Sequence, residues 1–208
     1  MKYDLHVHTN YSRCSVLSIS RIIKLSKKTG ILPAITDHNT IKGAMELKKE
    51  LPHMIVGEEV TTDMGEIIGL FLNKEIKKHT ALEEAIDEIH EQGGIVGVPH
   101  PFDFLRKRSC LKKIPKNIDF IEICNSRTIF TKFNKKAKEY ALKNNLPMSA
   151  GSDAHSFAEY GNAYVEINEF SSPKKFLKNL GKAEIVCKRS FPFVHVISLG
   201  AKTFGKIF

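Results

Sequence analysis

Two histidines near the start of the chain limit how its first segment can fold. His6 and His8 stand two residues apart in the run Asp4-Leu5-His6-Val7-His8-Thr9. Side chains alternate between the two faces of a β-strand, so on a strand both imidazoles point to one face, whereas Leu5 and Val7 take the other. Two imidazoles on one rigid strand can hold the same metal ion. The pattern therefore predicts a first strand with an apolar face and a metal-binding face.

Five later stretches repeat this arrangement, a short apolar run with residues of ligand type at its carboxyl end. The runs are residues 31–36, 54–60, 94–98, 119–124 and 148–151. The residues that end or follow them are Asp37-His38-Asn39, Glu58-Glu59, Pro99-His100-Pro101, Cys124-Asn125-Ser126-Arg127 and Ser152-Asp153-Ala154-His155. Ligand residues at nearly every strand end predict a site that is assembled from many strands.

Helical patterns separate these strands. Ser18 or Ser20 is expected to cap a helix that ends near Gly30, and Thr80 with Glu83 forms a capping-box signature. Further helices are expected over residues 41–51, 131–144 and 173–180. The alternation of strands and helices predicts an α/β fold with a parallel sheet. The ligand residues that converge at strand ends favour a barrel with its site at the mouth formed by the carboxyl ends of the strands. An open doubly wound sheet is the alternative, but it gathers residues at one switch point.

Composition predicts one cytoplasmic domain that spans residues 1–208. No run of about 18 apolar residues is present, so no membrane span is expected. The N-terminus enters a strand at residue 2, which leaves no room for a signal peptide. The four cysteines (positions 14, 110, 124 and 187) show no metal or disulfide spacing and are expected to be reduced thiols.

The charge balance is basic, with 32 Lys and Arg against 23 Asp and Glu, a net charge of +9. Lysine runs are typical of solvated faces. The excess nevertheless favours anionic partners such as phosphate esters, nucleotides or nucleic acid.

The ligand-type residues have the chemistry of a metal centre. Five histidines and three acids fall at strand ends: His6, His8, His38, His100, His155, Asp37, Glu59 and Asp153. Imidazole and carboxylate with little thiolate suit Zn, Mn or Fe rather than a structural Cys-rich zinc site. These ligands exceed the needs of one ion, so two or three divalent metal ions are expected. Such clusters hydrolyse phosphate esters.

The chain resembles the PHP (polymerase and histidinol phosphatase) family of metal-dependent phosphoesterases. Four motifs carry the resemblance: residues 4–9, 36–40, 98–101 and 151–155, with Gly57-Glu58-Glu59-Val60 between the second and third. The resemblance implies a distorted (β/α)7 barrel with up to three metal ions at its mouth. It implies that the first ion is bound by His6, His8, Glu59 and Asp153, the second by Glu59 and His100, and the third by His38 and His155.

Two positions depart from the family pattern. Members usually carry Asp or His five or six residues after the second motif histidine, where this chain has Arg13 and Cys14. Cys14 either supplies a thiolate ligand, which would favour zinc, or is a small buried side chain. Members with a full second site often carry His where this chain has Asn125. Asp37 is expected to orient a neighbour or cap the next helix more readily than to bind metal.

These features predict a hydrolase of phosphate mono- or diesters of a small metabolite or nucleotide, acting through a metal-activated hydroxide. His38, His155 and Asp153 are the expected catalytic residues. Arg127 and Arg13 are the candidate phosphate-binding residues, and residues 102–115, with Arg106-Lys107-Arg108, are the expected lid. The alternatives are an exonuclease on short single-stranded nucleic acid and a non-catalytic barrel that binds RNA or protein.

The C-terminal segment, residues 188–208, is basic and apolar. We expect it to pack on the barrel or on a partner subunit, and the oligomeric state stays open. A membrane-surface helix is the alternative, although Gly200 and Gly205 interrupt its apolar face.

Overall fold

A computed structural model of the chain describes residues 1–106, 110–111, 113–191 and 193–204, without the side chains of residues 195, 197, 202 and 204. The strands are β1 (Lys2–Val7), β2 (Ile31–Ile35), β3 (Ile55–Thr61), β4 (Glu66–Leu70), β5 (Ile95–Val98), β6 (Phe120–Asn125), β7 (Met148–Gly151), β8 (Ala163–Glu166) and β9 (Glu184–Cys187). The helices are α1 (Ile19–Thr29), α2 (Lys42–Lys48), α3 (Leu82–Glu91), α4 (Thr131–Lys143), α5 (Pro173–Leu180) and α6 (Val194–Phe204).

The strands form one sheet in the order β7-β6-β5-β4-β3-β2-β1-β8-β9. Its first seven strands curl until β1 meets the end of β7, where Val7 forms a parallel bridge with Ala154. The amide of His8 donates to the carbonyl of Ala154 at 3.0 Å, and the amide of Asp153 donates to that of His6 at 2.7 Å. The predicted α/β fold is thus confirmed as a nearly closed, seven-stranded barrel, and the closing seam carries two of the predicted ligand histidines.

The sheet is mixed, so the prediction of a parallel sheet is wrong around β4. This strand pairs antiparallel with both β3 and β5. The link from β3 is a tight turn in which the amide of Thr62 donates to the carbonyl of Gly65 at 2.8 Å. So short a link can join only antiparallel strands, since parallel neighbours need a long crossover. The sequence analysis overlooked the glycine-containing turn and the apolar run after it.

The helix caps are partly as predicted. Ser18 accepts from the amide of Arg21 at the start of α1, and Gly30 ends that helix with φ 71°. The capping box predicted for α3 is wrong, because the Thr80 hydroxyl donates to the carbonyl of Lys77 instead. The amide of Leu82 donates to Asp63, which lies in the turn after β3. The cap of α3 therefore comes from a distant turn.

The first strand has the alternation that its sequence predicts. Tyr3, Leu5 and Val7 are buried in apolar clusters. His6 and His8 are also fully buried, on the opposite face of the chain. Burial of imidazoles on a core strand requires polar partners, and the other strands supply them.

One pair of cysteines contradicts the prediction of reduced thiols. Cys124 and Cys187 form a disulfide between β6 and β9, with their Cα atoms 6.0 Å apart. Cys14 and Cys110 are free. The partners lie 63 residues apart in sequence, so only the fold brings them together. The cysteine pattern consequently gives no support for a reducing compartment.

The C-terminal segment lies against the barrel over its described part. Ser198 of α6 accepts a hydrogen bond from the buried guanidinium of Arg127 at 2.9 Å, and the amide of Ser190 donates to the carbonyl of Ser126. Val196 and Leu199 are exposed. Within the described ranges, none of the helices has the length and apolar character needed to cross a membrane.

Loss of the cross-link between Cys124 and Cys187 is expected to lower the free energy of unfolding by about 2–4 kcal/mol, because the disulfide restricts the unfolded chain. Urea unfolding of Cys187→Ser against the unsubstituted protein measures this loss. Cys110→Ser, which removes a free thiol, is the matched control. Equal stabilities of Cys187→Ser and Cys110→Ser under oxidising conditions would show that the disulfide does not stabilise the fold.

Candidate metal centre

Side chains from five strands (β1, β2, β3, β5 and β7) and the loops that follow them meet at the barrel mouth. The residues that the sequence analysis named as metal ligands come together there: His6, His8, Cys14, His38, Glu59, His100, Asp153 and His155. All of these side chains are buried except that of His38, which is 32% exposed. The mouth therefore concentrates titratable groups in a region with little solvent.

Glu59 lies at the middle of the cluster. Its Oε2 atom is 2.9 Å from His38 Nδ1, 3.4 Å from His8 Nε2 and 3.6 Å from His6 Nε2. Its Oε1 atom is 3.2 Å from Nε2 of His100. The two oxygens thus face different imidazoles, which is the arrangement that a carboxylate bridging two ions requires.

Asp153 also presents its two oxygens to different groups. Oδ1 lies 3.3 Å from His8 Nε2 and 3.7 Å from His6 Nε2. Oδ2 accepts hydrogen bonds from Arg106 Nη1 at 2.5 Å and from Asn125 Nδ2 at 3.2 Å. One oxygen of Asp153 is therefore directed at the histidines, while the other is fixed by hydrogen-bond donors.

Cys14, His38 and His155 line one side of the cluster. The rings of His8 and His38 are stacked with centroids 4.5 Å apart, and those of His8 and His155 are 4.3 Å apart. Cys14 Sγ lies 3.0 Å from Nε2 of His155. The structure thus places this thiol beside a predicted ligand histidine.

Two of the clustered residues have a backbone conformation that is uncommon for residues with a side chain. His100 has φ 30° and Asp153 has φ 54°. Such conformations cost energy and persist where the surrounding structure fixes them, often at functional sites. Here hydrogen bonds supply that constraint, since the amide of His100 donates to Glu122 at 2.8 Å.

Glu122 holds several of these side chains and was missed by the sequence analysis. Its Oε1 atom is 3.0 Å from Nδ1 of His6, and its Oε2 atom accepts from Asn125 Nδ2 at 3.0 Å. Carboxylates in such positions fix the orientation of a ligand imidazole and raise its basicity. An acidic residue within an apolar strand, Ile121-Glu122-Ile123, was the signal that could have revealed it.

Asp37 organises the loop after β1. Its carboxylate accepts from the amide of Thr9 at 2.7 Å and from the hydroxyl of Ser12 at 2.6 Å. Ser12 Oγ in turn lies 3.3 Å from Nδ1 of His8. These contacts give Asp37 an orienting position behind His8, and Asp4 similarly accepts from the amide and hydroxyl of Ser152.

The pKa shifts of two carboxylates and two imidazoles favour metal binding. Burial acts to raise the pKa of Glu59 and Asp153, but His38 and His6 near Glu59, and Arg106 near Asp153, hold each well below its ordinary value. Burial lowers the pKa of His8 and that of His155. Ionised carboxylates and neutral imidazoles are the forms that bind metal ions. Burial opposes protonation of His6 and His38 as well, but neighbouring carboxylates raise the pKa of both well above the ordinary value, so these two imidazoles release a proton when they bind an ion.

The donor geometry fits divalent metal ions. Among the residues that the structure describes, ligand atoms lie within 4.8 Å of one another in four groups of three residues. The groups are His8, His38 and His155; His6, His100 and Asp153; His6, His8 and Glu59; and Glu59, Glu66 and His100. These buried nitrogen and oxygen donors suit Zn, Mn or Fe. The sequence did not predict β4, the strand that carries Glu66, so this residue was not among the predicted ligands.

The predicted phosphate-binding arginines occupy different surroundings. Arg13 lines a pocket of about 800 Å³ with Cys14, His38 and Lys78 among the other lining residues. Arg127 is buried, and its Nη1 atom lies 3.2 Å from Oε1 of Glu159. Of the expected lid, Arg106 reaches Asp153, whereas positions 107 and 108 lie outside the described residues.

Comparison with known proteins adds a family model and curated relatives. A family model described as PHP-associated matches residues 131–185. The uncharacterized protein MJ0417 of Methanocaldococcus jannaschii is 41% identical over 194 residues, which cover 86% of this chain and 79% of that protein. At this identity and coverage the two chains share a family.

Solved structures show the same fold at low sequence identity. A two-domain protein from Bacteroides vulgatus that contains a predicted PHP-like metal-dependent phosphoesterase superposes with a TM-score of 0.70 at 18% identity, over 90% of this chain and 65% of that one. The chain therefore spans slightly less than two thirds of that protein. PsfC from Pseudomonas syringae superposes with a TM-score of 0.69 at 14% identity, over 97% of both chains.

The substitution Glu122→Gln is expected to weaken zinc binding by about 10- to 100-fold, because His6 loses the carboxylate that orients it. Competition with a chromophoric chelator measures the affinity. Glu139→Gln, at an exposed position of α4, is the matched control. An unchanged affinity in Glu122→Gln would show that this carboxylate does not support a metal ligand.

The substitution Arg106→Gln is expected to lower the melting temperature of the metal-free protein and to enlarge the rise that zinc produces. Asp153 loses its buried cationic partner, so the metal-free variant carries a buried negative charge without that partner. Zinc compensates this charge and therefore stabilises the variant more than the unsubstituted protein. Thermal unfolding with and without zinc measures both effects. Arg21→Gln, which removes an arginine that lies over the ring of Phe157, is the control. Equal zinc-induced rises in the two variants would contradict this role of Arg106.

Proposed function

Since the chain belongs to the PHP family, we propose that it is a metal-dependent phosphoesterase that hydrolyses phosphate mono- or diesters of a small metabolite or nucleotide. The observation that carries the proposal is the position of Glu59, whose two oxygens face four imidazoles at the barrel mouth. This arrangement suits a carboxylate shared between ions.

The proposed ligand sets follow the clustered side chains. His6, His8, Glu59 and Asp153 would hold one ion. Glu59 and His100 would hold a second, and His38 and His155 would hold a third beside Cys14. Divalent ions in such a cluster polarise phosphoryl oxygens and make a nucleophile available at neutral pH.

Asn125 holds residues of the metal centre in place and is not itself proposed as a metal ligand. Its amide nitrogen donates to both Glu122 and Asp153, and its carbonyl oxygen accepts from Arg106 Nη2 at 3.2 Å. The residue is thus engaged with the groups that fix the ligands. Asn125 stands where a histidine would complete the second site. Because Asn125 is engaged in these hydrogen bonds, we propose that it does not bind the second ion, which is therefore held by fewer protein ligands than the first.

The pocket beside the centre is suited to an anionic ester. Arg13 and Lys78 line it, and the half-buried imidazole of His38 faces it. Positive side chains attract a phosphate dianion, and an arginine can bind two of its oxygens at once. We therefore assign Arg13 to substrate binding, while Arg127 is engaged with Glu159 and Ser198.

While the third ion is absent, His38 is the preferred candidate for proton transfer to the leaving group, because an imidazole bound to a metal ion cannot act as an acid. Burial opposes protonation, but the neighbouring carboxylate of Glu59 raises the pKa of His38 well above its ordinary value. Its partial exposure at the pocket places it where a leaving group would depart. His155 is fully enclosed, and burial lowers its pKa, so it is better suited to hold an ion.

A non-catalytic barrel is the less favoured alternative. Burial of so many ionisable groups is costly unless each group is compensated. The buried cluster of donors is therefore best explained by a working metal centre.

The protein is expected to hydrolyse an aryl phosphate or an aryl phosphodiester when Mn, Zn or Fe is added, and chelation is expected to abolish turnover. His8→Ala and Asp153→Asn remove ligands and are expected to reduce turnover by at least about 100-fold, beyond the usual effect of removing a residue behind a ligand. Release of the aryl alcohol is measured by absorbance.

The matched control is His90→Ala, since His90 is an exposed histidine that bonds to Asp119 away from the cluster. It is expected to retain turnover. Folded, metal-loaded protein that cleaves neither ester would contradict the proposal for these substrates, and full activity in Asp153→Asn would contradict the proposed ligand set.

A further inference from the structure

A group of aromatic and lysine side chains lies beside the barrel mouth and is not used in the proposed chemistry. We call it the aromatic ledge, and its members are Phe102, Phe104, Phe130, Lys132, Phe133 and Lys136. The side chains of Phe104 and Phe130 are 56% and 50% exposed. Single exposed apolar residues are common, but a contiguous patch marks an interaction site.

Ring packing holds the ledge in one arrangement. Phe133, on α4, lies edge-on to Phe104 with centroids 6.1 Å apart and edge-on to Phe130 with centroids 6.0 Å apart. Phe102 contacts Tyr140 of the same helix in a similar way at 5.8 Å. Phe104 and Phe130 thus both pack on Phe133, and each residue stays about half exposed.

The lysines place positive charge at the same rings. The ammonium of Lys132 lies 5.3 Å from the centroid of Phe130, and that of Lys136 lies 5.5 Å from the centroid of Phe104. Each exposed ring therefore has a cation next to it. An aromatic ring paired with a cation matches the two parts of a nucleotide, a flat base and a phosphate.

The ledge is continuous with the metal centre along the chain. Phe102 follows His100 by two residues, and Phe104 precedes Arg106 by two. Because two residues span at most about 7 Å, the Phe104 backbone is close to that of Arg106, whose guanidinium bonds to Asp153. Phe130 lies five residues after Asn125, which also bonds to Asp153. Short stretches of chain therefore connect the ledge to residues that bond to Asp153.

We infer that the aromatic ledge binds at least two unpaired bases of a single-stranded nucleic acid. Two exposed rings, each with its own lysine, fit successive nucleotides, whereas a mononucleotide needs only one. Bases in a duplex are stacked on each other and cannot use such rings. The net charge of +9 favours a polyanion. Binding itself does not depend on the proposed function, but cleavage of the bound strand does.

Fluorescence anisotropy tests binding directly. The probe is a fluorescein-labelled oligothymidylate of about 12 nucleotides, added in excess chelator so that no strand is cleaved. We expect Phe104→Ala and Phe130→Ala each to weaken binding by roughly 5- to 150-fold, the range that stacking of one base on a ring corresponds to. Phe191→Ala, which removes an exposed ring from the C-terminal segment, is the matched control and is expected to bind as the unsubstituted protein does.

Two competitors test the stated class of ligand. Thymidine monophosphate is expected to compete far less well than the unlabelled strand, and a duplex of the same length is expected to compete less well than the single strand. The inference would be overturned if the duplex competed as well as the single strand, or if all three Phe variants had equal affinity for the probe. It would also be overturned if the ledge bound anionic phospholipid vesicles in preference to the strand.

The outcome for the ledge is separable from that for the proposed function. Oligonucleotide binding is measured without metal, and turnover of an aryl ester is measured without an oligonucleotide. Ring-dependent binding by a protein that turns over no ester would support the ledge and contradict the phosphoesterase. Ester turnover without ring-dependent binding would support the phosphoesterase and overturn the ledge.

Discussion

The structure depends on how the charge of two buried carboxylates is balanced. Glu59 and Asp153 are nearly inaccessible to water, and isolated buried carboxylates would be strongly destabilising. Imidazoles and one guanidinium surround them, so both stay ionised. A divalent ion can take over this role, because it supplies positive charge to the carboxylates while the imidazoles, once deprotonated, supply lone pairs. The carboxylates whose charge must be balanced for the barrel mouth to be stable are therefore also the groups that bind divalent ions.

The geometry of these groups is imposed by the barrel and not by any one segment. The seam between β1 and β7 brings His6 and His8 to Asp153, and Glu122 on β6 fixes His6 from behind. The loop after β5 adds both Arg106 and the start of the aromatic ledge. One loop thus carries both a residue that holds Asp153 and part of the proposed strand-binding surface.

The features that could be predicted from sequence are those encoded locally. The alternation around His6 and His8 gave a strand with two distinct faces, and ligand residues at successive strand ends indicated the barrel. Glu66 was missed because it lies on a hairpin strand that was not recognised. The disulfide between Cys124 and Cys187 could not be predicted, since its partners meet only through the sheet. Arg106 was placed at the mouth, but its bond to Asp153 depends on the folded loop.

The central claim is that Glu59 and its neighbouring imidazoles form a metal centre. Crystals grown with zinc and measured on both sides of the zinc absorption edge test it most directly. The account predicts anomalous peaks between Glu59 and the rings of His6, His8 and His100, at ligand distances of about 2.0–2.2 Å. A well-ordered barrel mouth without an anomalous peak, in crystals that hold millimolar zinc, would contradict it.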